Sequence, residues 1–344
     1  MNIQALVRPN IRQLVPYSSA RSEFTGAASV FLDANENPFN NPYNRYPDPL
    51  QREVKALISQ IRGIPAENTF LGVGSDECID VVYRTFCRPG IDNVVAMSPS
   101  YGMYEVCADI NDVAYRRVPL TDDFLLDADA MLAAADSCTK VMWICSPNNP
   151  TGNAFPLDVI AGLCSRFQGI VVVDEAYIDF STRGSMLSHL AATPNLIVMQ
   201  TLSKAWGSAA VRLGIAFASQ EIIDIFNKVK YPYNINLLTQ RYAVDILKRH
   251  TEVSAWVDRL KENRTALIAA LSGLPCVCHI YPTDANFVLV RVTDADAIYD
   301  FLRSRGIIVR NRNRVEKCLG CLRITVGTAD ENATLINTLL DYGK

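Results

Sequence analysis

The stretch LIVMQTLSKAWGSAAVRLG, residues 196–214, decides the fold. Leu196, Ile197, Val198 and Met199 are four apolar residues in succession, the pattern of a strand buried on both faces. The run ends on two hydroxyls, Thr201 and Ser203, and a lysine, Lys204; Arg212 follows eight residues later. A lysine after a strand, taken alone, is more often a surface residue. Other runs of the same kind surround this one: TFLGVG (69–74), NVVAMSP (93–99), KVMWICSP (140–147) and IVVVDEAY (170–177). Helix-length segments separate them, from Ser75, from Tyr101 and near Asp158, and LQREVKALISQI (50–61) has helical spacing before the first. Apolar strands alternating with helices predict an α/β fold with a mainly parallel sheet covered by helices.

The pattern changes near Tyr231. A long charged amphipathic stretch over about 240–272 leads to NFVLVRV (286–292), a helix around Asp296, GIIVR (306–310), CLRITVG (321–327) and a last helix. Fewer strands and more helix predict a smaller α+β domain. The Pro- and Asn-rich FNNPYNRYPDPLQ (39–51) marks an early boundary. The expected division is a large domain over 41–240, with 1–40 as an N-terminal arm joining 241–344 in the small domain.

Bulk properties bound the function. With 33 Lys+Arg against 36 Asp+Glu the net charge is −3, which gives no general electrostatic case for nucleic acid or an anionic membrane. No run approaches the roughly 18 apolar residues of a membrane span, and no secretory signal is read at the start. The ten cysteines, scattered through apolar stretches, then read as reduced thiols in a cytoplasmic protein. Cys318 and Cys321 form a CxxC, but with three histidines in the chain and no second pair at matching spacing, no metal site is expected and two packed thiols are the better reading.

Ligands of open α/β sheets sit beyond the carboxyl ends of the strands, and there the polar residues gather. Each has a bland reading. Asp174 could cap a helix or sit in a salt bridge; SPNNPTG (146–152) is a tight turn; GVGSDE (72–77) lacks the third glycine of a dinucleotide loop but keeps a glycine turn and a helix start able to face a phosphate. Together they suit pyridoxal 5′-phosphate. Lys204 would bond its aldehyde, and Asp174 would keep its ring nitrogen protonated. Asn149 and Tyr177 would donate to its phenolate oxygen, and Tyr101 would stack on the ring. Ser75 and Asp76, with Ser203 and Arg212, would hold its phosphate.

SPNNPTG, DEAY and TLSKAW…VRLG, in that order, resemble the class I/II aminotransferases of fold type I. LDANENP, NRYPDP, GVGSDE, PSYGMY, CLRITVGT and the N-terminal PYSSAR narrow the resemblance to the branch acting on histidinol phosphate, from about Tyr17 to the last helix. The chain departs from the family's glycine-richer GLAGLR with GSAAVR, while Arg212 keeps its spacing. The resemblance implies a homodimer in which Tyr46 reaches the partner subunit's cofactor phosphate. It implies substrate contacts from Arg323, Arg310 and Tyr17, and places Asn35 on a segment lining or covering the site. From its position in an alternating strand, Arg323 could also face solvent; the substrate role is the favoured reading. The implied reaction moves an amino group between L-histidinol phosphate and 2-oxoglutarate, giving imidazole-acetol phosphate and glutamate, in histidine biosynthesis. The open alternatives are a broader aromatic amino-acid aminotransferase, a threonine-phosphate decarboxylase on the same scaffold, and a catalytically silent ligand-binding protein. The presence of both Lys204 and Asp174 speaks against the last.

Overall fold

The computed structural model describes residues 1–17 and 29–342; PYSSAR beyond Tyr17 lies outside them. Two short helices, α1 (Ile3–Leu6) and α2 (Pro9–Arg12), precede α3 (Arg52–Arg62). The chain then winds through β1 (Thr69–Val73), α4 (Gly74–Phe86), β2 (Asn93–Ser98), α5 (Met103–Ile110), β3 (Ala114–Pro119), α6 (Ala128–Ala133), β4 (Thr139–Cys145), α7 (Leu157–Arg166), β5 (Ile170–Asp174), β6 (Leu196–Thr201) and β7 (Leu213–Phe217). These strands form one seven-stranded sheet in the order β1-β7-β6-β5-β4-β2-β3. Every pairing from β3 to β6 is parallel, and β7 runs antiparallel to both β6 and β1.

The apolar runs work because side chains alternate between two covered faces. Val141, Trp143, Val172, Ile197 and Met199 join one core, whereas Met142, Ile144, Val171, Val173 and Val198 join the other. At roughly 25 cal/mol per Å² of apolar surface, such two-sided burial dominates the stability of the sheet.

Beyond α8 (Gln220–Val229), α9 (Leu237–Lys248) and α10 (His250–Ser272) come β8 (Val277–Ile280), β9 (Phe287–Val292), α11 (Ala295–Ser304), β10 (Arg310–Asn311), β11 (Cys321–Thr325) and α12 (Ala329–Leu340). The second sheet is antiparallel, ordered β10-β11-β9-β8, and packs on a third core that includes Leu267, Val290, Ile298 and Leu335.

Some details differ from the sequence expectation or add to it. The charged amphipathic stretch over 240–272 folds as two helices, broken where Arg249 leaves helical geometry at φ −96°, ψ 22°. GIIVR contributes only Arg310 to a strand, the two-residue β10 that Asn311 completes. The edge strand β3, AYRRVP, was invisible as an apolar run because most of it is exposed or half-buried. Strand β7 lay hidden in the tail of the Lys204 motif. Cys318 and Cys321 are buried and form no disulfide, as two packed thiols should be.

Candidate active site

The carboxyl ends of β1, β2, β4, β5 and β6 lie along one rim of the large sheet. Asp174 ends β5, opposite Cys145 and Met199 in register. It is buried; Oδ2 accepts from the Tyr104 hydroxyl at 2.7 Å and Oδ1 from the Ala176 N–H at 3.0 Å. Burial raises its pKa, against the pull of those two donors and of Lys204. A buried carboxylate with a cation still to gain is what a protonated ring nitrogen requires.

Glu175, the next residue in DEAY, turns to the opposite side. Ser185 Oγ, the Met186 N–H and Gln200 Nε2 all donate to it, at 2.5, 2.6 and 3.0 Å. Burial still pushes its pKa up to about 7.

Lys204 sits in the turn after β6. Solvent reaches it from the cleft, while protein surrounds it closely enough for desolvation to lower its pKa. Arg323 and Arg212 push the same way, and Asp174 and Asp76 oppose them. Its Nζ lies 5.6 Å from the centre of the Tyr177 ring.

At the end of β1, helix α4 begins with no side-chain cap on its first turn. Such an end leaves backbone N–H groups for an anion. The Gly74 N–H donates to the Arg212 carbonyl at 2.8 Å, which locks the helix start against β7. Arg212 adopts a left-handed backbone, φ +56°, and its guanidinium lies so close to Gly74 that a side chain at 74 would collide with it. That guanidinium donates to Asp76 at 3.4 Å and to the Ala209 carbonyl at 3.1 Å. Tyr101 Oη reaches the other oxygen of Asp76 at 3.3 Å. The Ser203 hydroxyl is held 3.0 Å from Thr201 Oγ1. An uncapped helix start, a hydroxyl and a guanidinium around a glycine pocket fit a phosphate, so these residues fit pyridoxal 5′-phosphate as a set.

In SPNNPTG the two asparagines divide the work. Asn148 ties the turn together, donating to the Pro99 carbonyl at 2.9 Å and to Thr151 Oγ1 at 2.8 Å. Asn149 instead faces the small sheet, where Arg323 donates to its Oδ1. Arg323 therefore faces the cleft, not solvent, with its guanidinium 5.2 Å from the centre of the Phe287 ring. Arg310 pairs with it across the β10–β11 ladder. Tyr177 is buried edge-on against Phe287.

The structure thus brings together Ser75, Asp76, Tyr101, Asn149, Asp174, Tyr177, Ser203, Lys204, Arg212, Arg310 and Arg323. It does not bring Tyr17, Asn35 or Tyr46 to this cluster within one chain. Tyr17 is 75% exposed. Tyr46, 51% exposed, stacks on Tyr233 with ring centres 4.4 Å apart. Asn35 and Tyr46 line a separate cavity of about 580 Å³ together with Tyr43, Tyr233 and Leu238.

Sequence reasoning missed Tyr104. It lies in PSYGMY, already quoted for Tyr101, and a tyrosine three residues on along a helix start could have been asked where its hydroxyl goes. Here Tyr104 is buried, stacked on Trp143 at 4.8 Å, with its hydroxyl on Asp174.

Comparison with known proteins gives concordant results. The family model for aminotransferases of class I and II matches residues 25–339. A histidinol-phosphate aminotransferase of Bacteroides fragilis is 57% identical over 341 residues, covering 99% of this chain and 99% of its own. One from Parabacteroides distasonis is 55% identical over 338 residues, with 98% of each chain covered. Among solved structures, the histidinol-phosphate aminotransferase of Clostridium acetobutylicum superposes with a TM-score of 0.79 at 20% identity, over 87% of this chain and 90% of that one.

Proposed function

The chain belongs to the class I and II aminotransferase family, and on that premise we propose that it transfers the amino group of L-histidinol phosphate to 2-oxoglutarate. The products are imidazole-acetol phosphate and glutamate, and the setting is histidine biosynthesis. Pyridoxal 5′-phosphate is the cofactor; bound, it supplies an aldehyde and an electron-accepting ring. The observation that carries the reading is the position of Lys204, its Nζ 5.6 Å from the centre of the Tyr177 ring, at the rim where buried Asp174 ends β5 and Arg323 of the small sheet meets Asn149.

The residues then divide the labour. Lys204 Nζ would hold the cofactor's aldehyde and, as a free amine, would move the proton at the substrate α-carbon. A neutral amine is needed for that, and burial, Arg323 and Arg212 favour it. Asp174 keeps the ring nitrogen protonated. Asn149 and Tyr177 hold the phenolate oxygen, and Tyr101 covers the ring. The backbone N–H groups of Ser75 and Asp76, the Ser203 hydroxyl and the Arg212 guanidinium hold the phosphate. Arg323 and Arg310 bind the anionic end of the substrate, a phosphate ester in one half-reaction and a carboxylate in the other, since a guanidinium binds either bidentately.

Tyr17, Asn35 and Tyr46 act in a homodimer. The exposed side chains of Leu32, Phe39, Tyr43, Tyr46 and Leu238 support this, because apolar side chains in such number usually meet a partner; Tyr46 would then reach the partner subunit's cofactor phosphate, with Tyr17 and Asn35 closing over substrate. Sedimentation of the protein as a monomer would remove this part of the reading. A cytoplasmic location is consistent with ten unpaired cysteines. No described helix is long and apolar enough to cross a membrane.

The test is the isolated half-reaction. L-Histidinol phosphate should bleach the visible absorbance of the bound cofactor faster than phenylalanine does, and 2-oxoglutarate should restore it. Threonine phosphate should release no CO₂. Bleaching by phenylalanine but not by histidinol phosphate would overturn the substrate assignment.

A further inference from the structure

The ribbon of β10 and β11 carries more positive charge into the cleft than the sequence motifs suggested. Arg310 lies opposite Arg323 in the ladder, and Asn311 opposite Leu322. One step further, the Arg312 N–H donates to the Cys321 carbonyl at 2.9 Å, which continues the same register. Side chains two apart on a strand share a face, and directly opposed residues share it too. Arg310, Arg312 and Arg323 therefore stand on one face, and the Arg323 bond to Asn149 identifies it as the face of the cleft. Asn311 takes the other face, where its amide donates to Asp296 of α11 at 2.6 Å.

Arg312 is half-buried, and its Nε is shielded from solvent with no hydrogen-bond partner. Arg323 Nε is in the same state. Among the described residues neither guanidinium has a carboxylate in ion-pair contact, whereas Arg88, Arg116 and Arg249 each have one. Burial first, then the Arg323 and Arg310 cations, lower the Arg312 pKa to about 10. A cation held half out of water beside two others is costly unless an anion joins them.

We infer that Arg312 is a third arginine of the substrate-anion site and biases that site toward a dianionic phosphate ester over a monoanionic carboxylate. The inference rests on the transamination reading above. A carboxylate offers two oxygens and one charge, which a single bidentate guanidinium nearly satisfies. A phosphate monoester offers three oxygens and close to two charges, so a third guanidinium adds more to it.

The experiment uses the holoenzyme, whose cofactor already fills its own phosphate site, with Arg312→Gln and Arg312→Lys. Donor dissociation constants come from the concentration dependence of cofactor bleaching by histidinol phosphate and by glutamate. The dissociation constant of inorganic phosphate comes from its competition against either donor. The glutamine variant should weaken histidinol phosphate roughly 10- to 100-fold, the worth of a charge-assisted hydrogen bond, and weaken glutamate about 10-fold less. Inorganic phosphate should weaken in parallel with histidinol phosphate. The lysine variant should recover part of the loss, and the limiting bleaching rate at saturation should hold. Equal weakening of both donors, or an unchanged phosphate constant, overturns the inference. If histidinol phosphate fails to bleach the unmodified enzyme, the functional reading fails instead, and phosphate competition against glutamate still decides the role of Arg312. If the glutamine variant loses its cofactor, the lysine variant decides: histidinol phosphate and inorganic phosphate weakened more than glutamate support the inference, and equal effects on all three overturn it.

Discussion

The two walls of the cleft handle charge in opposite ways. On the large-sheet wall Asp174 has Tyr104 and the Ala176 N–H, and Arg212 has Asp76 and the Ala209 carbonyl, while Lys204 stands free for the cofactor. On the small-sheet wall Arg323 and Arg312 keep buried, unpartnered Nε atoms, and Arg310 stands beside Arg323. The difference matches residence time. A resident cofactor allows its wall to be built complete, from strand ends fixed by a two-sided core. A wall that must release one anion and take another cannot hold a carboxylate of its own, because that carboxylate would compete with the substrate.

The contrast can be broken from the cofactor side first. Lys204→Ala removes both the covalent tether and the proton carrier, so both half-reactions should slow by at least ~10³-fold, the worth of a positioned acid–base group. Single-turnover absorbance measures it, and slowing of only one half-reaction would contradict a shared lysine. Asp174→Asn should come next. It leaves the ring nitrogen without a buried anion, a loss of about 3 kcal/mol or ~10²-fold in rate and in cofactor affinity. Equilibrium dialysis of the cofactor checks the second part.

On the opposite wall, Arg323→Ala should slow both half-reactions roughly 10- to 100-fold, since histidinol phosphate and glutamate share it; loss of only one would end the shared-site idea. The substitution also carries a pH signature. Arg323 is the strongest charged neighbour lowering the Lys204 pKa. Without it that pKa rises, so the amine becomes neutral only at higher pH. The rising limb of the half-reaction profile should move upward in pH; an unchanged limb would mean that Arg323 does not set the lysine's basicity.

The same contrast explains what was legible in the sequence. The cofactor wall is built from strand ends and the turns that follow them, and continuous apolar runs mark those strands, so Asp174 at the end of β5, and Lys204 and Asn149 in the turns after β6 and β4, could be placed from the sequence. Arg323 was readable as a motif residue, yet its direction was not: in CLRITV an alternating strand offers two faces, and only the contact with Asn149 chooses. Arg312 had no mark of its own, because apart from nearby Arg310 its surroundings, Cys318, Arg323 and Tyr177, are assembled by the fold. Tyr46, Asn35 and Tyr17 lie outside the cluster in one chain; for Tyr46 the resemblance implied a place at the site of a second copy, which only the proposed homodimer would supply. Strand β3 escaped because an edge strand with one wet face has no apolar run to show.

The smallest expected effect tests whether Asp174 depends on its hydrogen-bond donors on the cofactor wall. Tyr104→Phe keeps the ring that stacks on Trp143 and deletes one donor to Asp174. A single buried hydrogen bond contributes about 1 kcal/mol net, so the half-reaction should slow by ~5- to 10-fold. That bond lowers the Asp174 pKa against burial, so its loss raises the pKa and the carboxylate is protonated at a higher pH. The acid limb of the rate profile should therefore shift upward in pH, and the cofactor should bind more weakly on the acid side than on the alkaline side. A purely structural tyrosine would lower the melting temperature while leaving both profiles where they were. That outcome would reduce Tyr104 to packing, and the counterparts of Asp174 on this wall to the Ala176 N–H alone.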